Sequence, residues 1–89
     1  MDRRQAETIA LQAVAFVVGD EALRARFLSV SGCTPADLRA RTTDPELLAG
    51  LLAFLVGHEA DLNRFAEAAG LSAASPRQAI LALGGHWPE

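Results

Sequence analysis

The one thiol in the sequence, Cys33, stands directly before Thr34-Pro35, a pair that opens a helix. A thiol at a helix start is a potential nucleophile, because the dipole favours its thiolate. Its counterpart in the internal repeat described below is Leu71, so a small buried hydrophobe is the preferred reading. His58, with Glu59 and Asp61 close by, offers metal-ligand types. His58 and Asp61 supply only two ligands, and the other histidine, His86, lies near the C-terminus, so neither a metal nor a cofactor is expected. The sequence contains no phosphate loop, dinucleotide fingerprint, nucleophile elbow or HExxH motif. No catalytic residue is assigned, and the chain reads as a non-enzyme.

All eight basic residues are arginines, and Arg24, Arg26, Arg39 and Arg41 form their densest group. A guanidinium fork suits carboxylate or phosphate. Asp20, Glu21, Asp37 and Asp44 are interleaved with these arginines, however, and Asp20 with Arg24, like Asp37 with Arg41, has the four-residue spacing of a solvated helix pair. The formal charge of -3 and pI near 5.3 give no long-range attraction to nucleic acid or to an anionic membrane. Arg39, Arg41 and Trp87 remain as candidate partner contacts, since Arg and Trp are frequent interface anchors.

These residues hang on a framework set by Leu47 to Val56, LLAGLLAFLV, which is apolar apart from Gly50. Leu47, Leu51, Phe54 and Leu55 fall on one helical stripe, and Leu48, Leu52 and Val56 on the next. Five leucines and a single β-branched residue favour helix over a buried strand. The run is closed by Pro45-Glu46 and His58-Glu59, well short of the roughly 20 apolar residues that span a bilayer. It is predicted to be the central helix of a bundle.

The remaining elements follow from start and stop signals. A first helix is predicted from about Asp2 to Val18, with Ile9, Ala13, Phe16 and Val17 on one face, widened by Val14, and Gly19 ending it. Asp20 caps a second helix that carries Leu23, Phe27 and Val30 inward and stops near Gly32. Thr34-Pro35-Ala36-Asp37 opens a short third helix to about Arg41, and Asp44-Pro45-Glu46 opens the central one. A fifth, from Glu59 to Ala69, presents Leu62, Phe65, Ala66 and Ala69 and stops at Gly70. Ser75-Pro76 starts the last, with Ala79, Ile80 and Leu83 inward.

A shift of 38 residues lays Ala15-Phe16-Val17-Val18-Gly19 onto Ala53-Phe54-Leu55-Val56-Gly57, Arg26-Phe27 onto Arg64-Phe65 and Gly32 onto Gly70. Nine of the twenty positions from Ala15 to Thr34 are identical in this register. The pattern predicts two αα-hairpins, about 3–34 and 41–72, packed face to face. Residues present in both copies, such as Phe16 and Phe54 or Phe27 and Phe65, are then architectural.

The expected fold is all-α: one domain over residues 1–89, a compact bundle of five or six helices built from a duplicated hairpin, with 84–89 as a C-terminal tail. Lone Cys33 and the missing signal-like N-terminus fit a cytoplasmic protein. The succession Arg26-Phe27-Leu28, Gly32-Cys33-Thr34-Pro35-Ala36-Asp37-Leu38-Arg39, Asp44-Pro45-Glu46-Leu47, Leu51-Leu52-Ala53-Phe54-Leu55, Glu59 and Phe65-Ala66 resembles a family of short bacterial proteins, the domain-of-unknown-function family thirty-five seventy-two. The resemblance runs from the first helix to Leu83-Gly84-Gly85 and implies a small helical protein with no assigned activity and no catalytic residues to carry over. In that family a Pro-led helix start is expected soon after Gly70, whereas here it comes at Pro76.

The apolar surplus of so short a chain, in which the helices at Ala10 to Val18 and Leu47 to Val56 both call for burial all round, points to a protein-protein interaction module, binding an unknown protein partner or itself. The alternative is a nucleic-acid-associated regulator in which Ser72 to Leu83 forms a helix-turn-helix-like end, although Arg77 is the only basic residue there. A small enzyme or ligand carrier using Cys33 or His58 in a pocket between the hairpins ranks third.

Overall fold

The computed structural model describes residues 1–84. These form six helices: α1 (Arg3–Val18), α2 (Glu21–Ser31), α3 (Pro35–Ala40), α4 (Pro45–Val56), α5 (Glu59–Ala69) and α6 (Ser75–Ala82). Among the described residues there is no strand.

Local chemistry sets the helix starts. Asp2 accepts from the Gln5 amide at 2.7 Å, and the Gln5 side chain accepts from the Asp2 amide in return. Thr34 and Asp37 make the same reciprocal pair, both bonds 3.1 Å long, with Pro35 pre-set in the first turn. Asp20 caps α2 through the Leu23 amide, and Asp44 caps α4 through the Glu46 amide. α2 and α5 both end on glycines in the left-handed region, Gly32 at φ 73° and Gly70 at φ 70°, where a side chain is strained. Beyond Gly70 the chain turns over Ser72 and Ser75, with the Ser75 amide on the Ser72 carbonyl, and α6 starts there without a side-chain cap. The late Pro76 is buried in its first turn.

The heart of the fold is α1, α4 and α6 in mutual contact, with α2 against α1 and α5 against α4. α4 is central as predicted: Leu47, Leu48, Ala49, Leu51, Leu52, Leu55 and Val56 are all buried. They meet Ala6, Ile9, Ala10, Ala13 and Val17 of α1 and Ala79 and Ile80 of α6 in one cluster. Each leucine so enclosed contributes on the order of 1.5–3 kcal/mol by leaving water. The alanines of α1 supply little area of their own and instead let the leucines of neighbouring helices come close.

Two expectations about burial are corrected. Val30, assigned to the inward face of α2, is 68% exposed, because it lies one turn beyond Phe27 where α2 has left the core. α1 is not buried all round either: Leu11 is 48% exposed and Val18 39%.

Candidate functional site

The residues singled out for chemistry are scattered. Cys33 is half-buried just past Gly32, its amide donating to Ser31 Oγ at 3.2 Å. It lines a shallow groove of about 330 Å³ shared with Phe27, Val30, Arg41, Leu47 and Phe54. His58 is not part of that lining. It stands exposed at the head of α5, makes no capping bond, and rests against Phe54, its Nδ1 3.3 Å from the Phe54 carbonyl. Among the described residues no three His, Cys, Asp or Glu side chains converge in a way that would hold a metal ion.

The arginines do not pair as their spacing indicated. Asp37 is occupied by the Thr34 cap, so Arg41 turns to Asp44 instead, its Nη2 2.7 Å from Oδ2. Asp44 is held below its ordinary carboxylate range, first by the Arg41 hydrogen bond and then by the Glu46 amide. Asp37 is lowered too, chiefly by the Thr34 amide and then by its hydroxyl. Arg24 leaves Asp20 and donates to the Val18 carbonyl at 3.0 Å, where a cation favours the C-terminal end of α1.

Arg26 and Arg64 instead meet over a shared carboxylate, Asp61, with Arg64 Nη1 3.6 Å from its Oδ1. Arg64 lies over the Phe16 ring, 5.6 Å from its centroid, and reaches Asp20 at 3.1 Å. Arg26 lies over Phe54 at 5.5 Å and pairs with Asp61. Phe16 packs on Phe65 and Phe27 on Phe54, with centroids 5.5 and 5.4 Å apart. Arg26 of α2 therefore lies over a ring of α4, and Arg64 of α5 over a ring of α1. The two acids differ because His58 stands at the position 38 residues after Asp20, and Asp61, three residues further on, supplies the carboxylate. Asp20 is drawn below its ordinary range mainly by the Leu23 amide and next by Arg64.

What the sequence reading missed is a groove of about 500 Å³ between α1, α2 and α3. Its floor is a second apolar stripe of α1, Leu11, Val14, Ala15 and Val18, at the i, i+3, i+4, i+7 spacing of a face that lies along another helix. Leu28 of α2 and Pro35 and Leu38 of α3 form the walls. Arg24, Arg39 and Thr42 edge it, and no acidic residue lines it. Of the predicted contacts, Arg39 is therefore on this groove, whereas Arg41 is on the smaller one beside Cys33. Trp87 lies outside the described residues. On α6, Pro76, Ala79 and Ile80 face the core while Arg77 and Leu81 are exposed.

Among the described residues, an all-helical protein with an apolar surface groove is the class that these features define. By sequence, the chain belongs to the family described as Protein of unknown function (DUF3572), which matches residues 3–86. No curated protein and no solved structure matches it. No helix of the described residues is long and apolar enough to cross a membrane.

Proposed function

We propose that this protein is a binding module for another protein chain, and that the groove between α1, α2 and α3 is its docking face. The observation that carries this reading is the uncovered α1 stripe. Leu11 and Val18 are two of the five large hydrophobic side chains that stand exposed among the described residues, and both belong to this one groove. Large apolar side chains gathered on a concave surface are a feature of interaction sites. Binding rather than catalysis fits a surface whose polar groups are two guanidiniums and one hydroxyl.

The framework behind the groove is best understood as a duplicated hairpin. Support comes from the exchange of partners across the centre: Phe16 with Phe65 against Phe54 with Phe27, and Arg64 over Phe16 against Arg26 over Phe54. Each pair maps onto the other at the 38-residue offset. The groove breaks that symmetry, because α3 walls it whereas α6, which overlaps the same stretch at that offset, packs into the core against α1 and α4. A reducing, cytoplasmic setting suits a chain with one half-buried thiol.

The test is site-specific photocrosslinking in cells of the source organism. A photoreactive phenylalanine analogue replaces Leu11 in one strain and Leu81, exposed on α6, in another, followed by irradiation, nuclease treatment and mass spectrometry. A discrete protein adduct from position 11 and not from position 81 is the expected result. No adduct at position 11, or the same adducts from both positions, overturns the reading.

A further inference from the structure

Resting on that reading, we infer that the groove between α1, α2 and α3 takes an acidic amphipathic helix from a different protein. The shape argument comes first. Leu11 to Val18 spans about 10 Å of helix axis, two turns, which is the length over which a partner helix offers apolar anchors at i, i+3 or i+4, and i+7. Ala15 in the middle of the stripe lets a second backbone approach closely.

Charge then selects the occupant. The chain as a whole is acidic, yet this groove carries Arg24 and Arg39 and no carboxylate. Arg39 is exposed and enters none of the ion pairs formed among the described residues. Arg24 is held at the rim by a bond to a backbone carbonyl, which leaves it without a carboxylate partner. A partner with Glu or Asp flanking its apolar face meets both guanidiniums; a basic one is repelled.

The same count argues against a second copy of this chain. Apposed grooves would bring four guanidiniums together. Of the other exposed large apolar side chains among the described residues, Met1 precedes Asp2 and shares a groove with Gln5, Gln12 and Gln78. Val30 shares one with Glu46 and Arg41, and Leu81 follows Arg77 and Gln78, so none is flanked by the pair of carboxylates that two guanidiniums call for.

The full-length protein is titrated with a fluorescein-labelled peptide of about 18 residues, long enough to become helical on binding. It carries leucines at i, i+3, i+4 and i+7 with flanking glutamates, and a matched peptide has lysines in their place. Anisotropy gives affinity, and backbone amide shifts report location. The acidic peptide is expected to shift Leu11, Val14, Val18, Leu28 and Leu38 and to bind about tenfold more tightly than the basic one, as two rim charge pairs allow. Arg39→Glu, an exposed change that leaves the helical spectrum unchanged, is expected to narrow or reverse that preference. Equal binding of both peptides, preference for the basic one, or concentration-dependent shifts of groove amides without peptide each overturn the acidic-partner inference. If neither peptide moves the groove amides, this inference falls as well. In any of these cases an adduct from position 11 still upholds the groove itself, and its absence takes down both.

Discussion

One chemical change, glycine to alanine, is expected to have opposite signs at two positions. At Gly50, in the middle of α4, an added methyl group would meet no atom within 4 Å, and the backbone is ordinary helix. Alanine there lowers the entropy of the unfolded chain and favours the helix, which is worth about 0.5–1 kcal/mol. At Gly70 the space is equally open but φ is 70°. The left-handed conformation costs a residue with a Cβ about 1–2 kcal/mol, and the same unfolded-state gain offsets part of it, leaving a net loss near 1 kcal/mol. In a domain of this size each kcal/mol moves the melting temperature by about 4–8 °C. Thermal melts followed by circular dichroism should therefore place Gly50→Ala about 3–6 °C above the parent and Gly70→Ala a similar interval below it. A drop for Gly50→Ala would mean that this face of α4 is covered. No change for Gly70→Ala would mean that α5 does not end in the left-handed turn.

Three further outcomes test other parts of the fold. Leu52→Ala, at a fully enclosed α4 position, is expected to lose about 2–5 kcal/mol in urea unfolding, and a loss below 1 would place it outside the core. Asp20, Asp37 and Asp44 all have carboxyl pKa values lowered by folding, so they stabilise the protein above their unfolded value of 3.8 and that contribution disappears as pH falls through the lowered folded values. Urea midpoints should accordingly be level from neutral pH down to about 5 and fall below 4, with Asp37→Asn showing a shallower fall than the parent. Cys33, half-buried against the core, should react with Ellman's reagent more slowly in the native protein than in urea; equal rates would refute its packed position.

Helix starts were legible because each is decided by three or four neighbouring residues. Thr34-Pro35-Ala36-Asp37 and Asp44-Pro45 carry their caps in sequence, and α4 announces its burial by having no polar face. Ion pairing was less legible. Four-residue spacing put Asp37 with Arg41, but a carboxylate already engaged by the Thr34 amide and hydroxyl leaves the guanidinium to seek Asp44. Val30 fits the helical period of Leu23 and Phe27, yet period says which face a residue is on and not where the neighbouring helix ends. The groove needed three elements in space at once. Its single sequence trace was the second stripe Leu11, Val14, Ala15, Val18, set to one side of the buried Ala6, Ile9, Ala13 and Val17, which the all-apolar look of that segment concealed.

The arginine ion pairs bear on how the molecule comes apart. Arg26 and Asp61 are 35 residues apart in sequence, and Arg64 and Asp20 are 44. Closing contacts that distant costs loop entropy, so these exposed pairs are expected to form late in folding. Their loss should hasten unfolding far more than it slows refolding, a change confined to the unfolding arm of a chevron. Because both guanidiniums are solvent-exposed, each arginine is expected to lengthen the lifetime of the folded state by a few-fold at most, and with it resistance to proteases that wait for a rare opening.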